Sequence, residues 1–131
     1  MQDFFILIYK HKFIHDQIIE VFPSKDSVKN YLILKYVDDD SVFNKIDYLI
    51  ASGESFAHNY QGLYYIVRVH AIEGQKKFKS NHTVYILNET ERNYKSAVVF
   101  SDETACNAYL KDKFPDSKPF IDYEIKHMKL Y

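Results

Sequence analysis

Residues 4–9, Phe4-Phe5-Ile6-Leu7-Ile8-Tyr9, form an unbroken run of aromatic and aliphatic side chains near the start of a 131-residue chain. The run is too short for a helix and shows no polar alternation, which predicts a strand covered on both faces. A strand of that kind must lie inside its sheet, with an element packed above it, so the rest of the chain is read as what surrounds it. Ile18-Ile19-Glu20-Val21-Phe22 follows after a short polar gap and reads as a second strand, joined to the first as an antiparallel hairpin.

Pro23-Ser24 then supplies a stop and an N-cap, and Val28, Tyr31, Leu32, Lys35 and Tyr36 recur at helical spacing. Asp38-Asp39-Asp40-Ser41 interrupts that helix and caps a second helical stretch lined by Val42, Ile46, Leu49 and Ile50, which Ser52-Gly53 ends. Leu63–His70 reads as a strand, and Gln75–Asn81 as a polar connector. Thr83–Leu87 and Ser96–Phe100 read as strands, Asp102–Phe114 as a helix with Asp102 as N-cap, and Ile121–Met128 as a closing strand with one wet face.

The second half therefore repeats the order of the first. A shift of 78 residues sets Ile8 on Ile86, Val21 on Val99, Phe22 on Phe100, Tyr31 on Tyr109, Leu32 on Leu110 and Lys35 on Lys113, six identities over residues 4–36 without a gap. A shift of 58 sets Tyr65-Ile66-Val67-Arg68 on Tyr123-Glu124-Ile125-Lys126 and leaves 20 more residues in the first half. The expected fold is α+β: a mostly antiparallel sheet of about six strands with two or three helices on one face, in a single domain spanning 1–131. Its expected components are an internal duplication of a ββαβ unit, the first over 4–72 with a helical insertion and the second over 82–131, which fold around one core.

Composition narrows the function classes. A lone Cys106 excludes an internal disulfide and a cysteine-pair zinc site, and its alignment with Val28 makes it a core residue. With three isolated glycines there is no Gly-rich phosphate loop and no nucleophile elbow, so no cofactor and no metal are expected. The net charge of −1 argues against a dedicated nucleic-acid binder. No signal peptide and no apolar run long enough to span a bilayer is present in the sequence, so a cytoplasmic location and no membrane partner are expected. Lys, Ile, Asn, Tyr and Phe supply 57 residues, a bias toward AT-rich codons that suggests a low-GC bacterium or a phage or mobile element living in one.

Three functions are weighed. The first is a small non-catalytic protein-binding protein of inhibitor or immunity type, which occludes a host or element-encoded protein through Asp38, Asp39, Asp40, Asp47, Tyr60, Tyr64 and Tyr94. Tyrosine joins contact area to a hydroxyl at low entropic cost, and the chain holds twelve. The second is a nucleic-acid-binding module using the basic and aromatic run Lys76, Lys77, Phe78 and Lys79. The third is a small enzyme built on His58, His70 and His127. His11 and His15 are spaced by four but fall in the hairpin, where that spacing does not make one site. A homodimer through the closing strands is compatible with each.

Overall fold

The computed structural model describes residues 2–59, 62–72, 77–89, 94–116, 118–119 and 122–131, with side chains described throughout these except at 57–59. The chain runs β1 (Asp3–His11), β2 (Gln17–Phe22), α1 (Lys25–Lys35), α2 (Asp40–Phe43), α3 (Ile46–Ser52), β3 (Phe56–Asn59), β4 (Gly62–Ala71), β5 (Thr83–Glu89), β6 (Val98–Phe100), α4 (Glu103–Lys113) and β7 (Tyr123–Lys129). It is α+β, and β1 is internal to the sheet, flanked by β2 and β4, as its apolar run requires.

The sheet order is β2-β1-β4-β6-β5-β7, with β3 joined to β4. Most pairings are antiparallel, but β4 and β6 run parallel, which makes the sheet mixed. The end strands also meet: Val21 bridges Leu130 in parallel, and the Tyr131 N–H donates to the Val21 carbonyl at 2.9 Å. The sheet is thereby curled into a near-barrel, which removes most of its free edge. An interior cluster of Phe4, Ile6, Ile8, Val21, Val67, Val69, Val84, Ile86 and Val99 is shared by strands from both halves of the chain.

Helices cover the barrel on separate outer faces, not on one face as expected. Val28 and Leu32 of α1, with Val42, Ile46, Leu49 and Ile50 of the next two helices, pack over Phe5, Leu7, Phe22 and Ile66. On the other side Cys106 and Leu110 of α4 pack over Leu87 and Phe100. Among the described residues there are four helices rather than two or three, because the second helical stretch breaks at Asn44-Lys45 into α2 and α3. Ser24 and Asp102 accept hydrogen bonds from Ser27 N–H and Ala105 N–H and start α1 and α4, each an N-cap serving the third residue of its helix. Gly53, at φ +70°, closes α3 in the left-handed conformation that glycine adopts without strain.

The order ββαβ occurs twice, and α1 and α4 superimpose in number at the 78-residue shift, from Lys25 and Glu103 to Lys35 and Lys113. The pairings repeat with different shifts along the chain: Ala71 N–H donates to the Gln2 carbonyl as Leu130 N–H donates to that of His82, and Ile6 pairs with Val21 as Ile86 pairs with Val99. The closing strand is therefore shifted by 59 rather than 58 and the first strand by 80, against the ungapped match of Ile8 with Ile86. Ala71 pairs with Val99 across one parallel joint as Leu130 pairs with Val21 across the other. The odd correction matters because one residue exchanges the two faces of a strand. At a shift of 59, Ile66 matches Ile125 beneath the helices, and Val69 matches Met128 in the barrel.

Candidate functional site

The residues between Tyr36 and β3 have no counterpart in the second unit, and they carry the candidate site. Residues 37–55 hold five carboxylates against one lysine. Their inward side chains Val42, Ile46, Leu49 and Ile50 are at most 5% exposed, so the segment is docked firmly. Its outward side carries apolar groups among the charged ones: Val37 and Tyr48 are 55% and 58% exposed and Phe43 is 37% exposed, and Leu34 near the end of the preceding α1 is 78% exposed. Ile33, Phe43 and Tyr48 line a groove of about 460 Å³ between α1 and the α2–α3 segment, with Lys29 and Asp47 in its wall.

The acidic residues divide by role. Asp39 is the N-cap of α2, its Oδ1 accepting from Ser41 N–H at 3.1 Å and from Ser41 Oγ at 2.6 Å. Asp38 and Asp40 are exposed beside it. Asp47 pairs with Lys29 at 3.2 Å across the exposed α1–α3 contact, a pair that adds little stability but sets the groove wall.

The tyrosines depart from expectation. Tyr94 is a core residue, 3% exposed, held at φ +61° with its ring in the barrel interior. Tyr64 is half-buried: its ring lies 5.0 Å from that of Tyr9, and the Lys35 ammonium sits 5.4 Å above it. Lys35 also lies over Tyr31 and Tyr36, and burial, then the neighbouring Tyr64 and Tyr31 and Asp39, push the Tyr36 phenol up to about 12. Tyr60 lies outside the described residues.

A polar group at one end of the barrel was not foreseen. Tyr65 donates to Asp16 Oδ2 at 2.6 Å, and Tyr94 donates to Glu124 Oε1 at 3.4 Å. Burial and these carboxylates raise both phenols above their ordinary value. Asn88, opposite Glu124 in the β5–β7 ladder, is 4% exposed and its Oδ1 has no hydrogen-bond partner among the described residues. The signal was present in the sequence, since Asn88 follows Val84 and Ile86 at even spacing, but the alternation of Glu124 with Tyr123 and Ile125 reads it as solvent-facing, whereas it reaches Tyr94.

The remaining candidates are dispersed. Phe78 is packed against Phe4 at 4.6 Å and joins the barrel core, so its ring is not a platform for a base. Lys77 and Lys79 are exposed beside it, and Lys76 lies outside the described residues. His70 Nδ1 stands 2.6 Å from Asp3, whose other oxygen binds Arg68. Desolvation pushes the Asp3 carboxyl up, but the hydrogen bonds from Arg68 and His70 outweigh it and hold the group below its ordinary range. His127 packs on Tyr85, on a strand separated from β4 by β6 and β5, so it forms no cluster with His70. The His58 side chain lies outside the described residues. His11 accepts the Phe13 N–H at 3.0 Å in the hairpin turn, and Cys106 is fully buried, its thiol pushed up to about 11 by burial and Glu103. No helix among the described residues is long and apolar enough to cross a membrane. Comparison with protein-family models, with curated proteins and with solved structures finds no match.

Proposed function

We propose that this chain is a small non-catalytic binding protein of inhibitor or immunity type, acting in the cytoplasm, which occludes a protein partner with the face formed by α1, α2 and α3. The observation that carries the reading is the exposure of Val37, Phe43 and Tyr48 on a segment bearing five carboxylates and one lysine, with Leu34 of α1 exposed just before it. An apolar centre with a charged rim is the anatomy of a protein interface. The rim asks for a partner surface with basic residues around an apolar anchor, the anchor entering the groove beside Phe43 and Tyr48. The partner-binding set thus narrows from the residues first considered to Asp38, Asp40 and Asp47 on the rim, with Asp39 holding α2 in place. In this reading the two ββαβ units arose by duplication, and the insertion gave one of them its contact surface.

The test is affinity capture with the wild-type protein and with two surface variants, Phe43→Glu and Tyr48→Glu, in a low-GC bacterial lysate treated with nuclease. A stoichiometric basic protein held by the wild type and lost by both variants is expected, with affinity that weakens as salt rises. Retention of the same protein by both variants sinks the assignment of this face, and nuclease-sensitive recovery sinks protein binding itself.

A further inference from the structure

The second unit has a cavity where the first is filled. Tyr31, Tyr36 and Tyr64 of the first unit correspond to Tyr109, Phe114 and Tyr123 of the second, at shifts of 78, 78 and 59. In the first unit Phe56 completes this aromatic group, its ring 6.0 Å from Tyr36 and 6.3 Å from Tyr64. Phe56 opens β3 directly after the unmatched segment 37–55, which carries the buried Val42, Ile46, Leu49 and Ile50, and at the shift of 59 its position falls on Pro115, which supplies no ring. The corresponding place beside α4 is a half-enclosed cavity of about 240 Å³, walled by Leu87, Val98, Tyr109, Phe114 and Tyr123. Glu89, Ser96 and Asp122 stand at its margin.

Protein interiors are close-packed, and an apolar void of about 150 Å³ is already large enough to admit benzene. The void beside α4 exceeds that size, opens to solvent and is lined by three aromatic rings among the described residues. The first unit shows what this frame accepts, a flat ring set edge-on to Tyr36 at 83°, an arrangement aromatic pairs favour, and tilted by 33° to Tyr64. The surroundings decide between a free molecule and a docked protein. Every strongly exposed large apolar side chain among the described residues lies at residue 72 or earlier, apart from Tyr131, so the described residues give the cavity mouth no apolar apron for a protein to cover.

We propose that the second unit binds a small aromatic molecule in the cavity beneath α4, in the place that Phe56 occupies in the first unit. The polar margin favours a ring carrying a hydrogen-bond donor, for which Glu89 and Asp122 are the acceptors in reach of the opening.

The experiment is an NMR titration of the full chain with indole, run beside cyclohexanol as a non-aromatic probe of similar size. Saturable shifts confined to residues around Leu87, Val98, Tyr109 and Tyr123, with a dissociation constant of about 1 mM or tighter, are expected for indole. Cyclohexanol should bind at least about tenfold more weakly, a difference of about 1.4 kcal/mol. Val98→Phe supplies a ring to the cavity from within and should abolish the indole response while leaving the chain folded. Should that variant not fold, Ser96→Phe at the cavity margin serves the same purpose. Absence of saturation, equal binding of cyclohexanol, or undiminished indole binding by a folded filled variant each overturns the proposal. Each result is independent of protein docking on α1–α3.

Discussion

At the scale of single residues, the chain places three unusual demands on its neighbours. Gly62 pairs with His11 at the start of β4, and a Cβ added there would collide with the Lys10 carbonyl, a contact against backbone that no rotamer relieves. Gly62→Ala should therefore cost about 1–3 kcal/mol, read as a lower urea midpoint with unchanged slope. The buried Oδ1 of Asn88 makes the opposite prediction. Leucine at this position removes an unpaired acceptor and fills the same interior face, so Asn88→Leu should leave stability unchanged or raise it by about 1 kcal/mol. A loss of more than that in thermal or urea melts would mean the carbonyl has a partner in the folded protein.

The phenols define a pH limit. Tyr36, Tyr65 and Tyr94 are all raised above the ordinary value of 10.0, the first to about 12, so the folded state favours their neutral form. Their contribution to stability is complete below pH 10 and is lost as pH rises from there through the folded values. Urea midpoints should begin to fall near pH 9, where the buried Cys106 thiol starts to ionise in the unfolded chain, and fall more steeply above 10 as the phenols join it. Tyr65→Phe removes one of the three ionisations together with its bond to Asp16, so it should lower the midpoint at pH 7 by the equivalent of about 1 kcal/mol yet flatten the alkaline decline.

At the scale of elements, α2 is the most dependent on a single side chain. It has four residues, too few to hold together by propensity, and Asp39 satisfies its first turn through Ser41. Asp39→Ala should cost about 1 kcal/mol in stability. It should also accelerate amide exchange locally in residues 40–46, while the β1–β4 ladder stays protected. The longer helices were legible because their caps and apolar spacings agree, Ser24 and Asp102 standing 78 residues apart before Val28 and Cys106. The insertion was legible as helical but not as two helices. The four-residue spacing from Val42 to Ile46 continues across Asn44-Lys45, and only the packing of Ile46 and Leu49 under α1 requires the turn there. β3 was missed altogether, since Phe56–Asn59 is too short to alternate and exists because the edge of β4 beyond Tyr64 offers it a partner.

At the scale of the whole molecule, the two units share one interior. Phe4, Ile6 and Val67 from the first meet Val84, Ile86 and Val99 from the second, so neither can bury its inner sheet face alone. Residues 1–72 and 82–131 expressed separately should each be unfolded by NMR, and the intact chain should unfold in one transition. A dispersed spectrum from either fragment would contradict this. Closure rests on Leu130, 3% exposed at the β2–β7 joint, and Leu130→Ala should cost about 2–5 kcal/mol. Its amides near Val21 should then exchange before those of the β1–β4 pairing.

The sequence by itself determined the local elements and their order. Apolar runs, caps and helical spacings are properties of neighbouring residues, and the recurrence of β-β-α-β is a property of the string. The tertiary structure alone decided the rest. The parallel joints β4–β6 and β2–β7 link residues far apart by very few hydrogen bonds, which leaves no periodic trace. The barrel interior consumed Tyr94 and Phe78, whose sequence neighbours are polar, because a closed sheet must fill its centre with whatever rings reach it. The closing strands could be placed only to within a residue, and alternation alone showed which residues of the last strand share a face but not that the face of Glu124 meets Tyr94 at the barrel mouth.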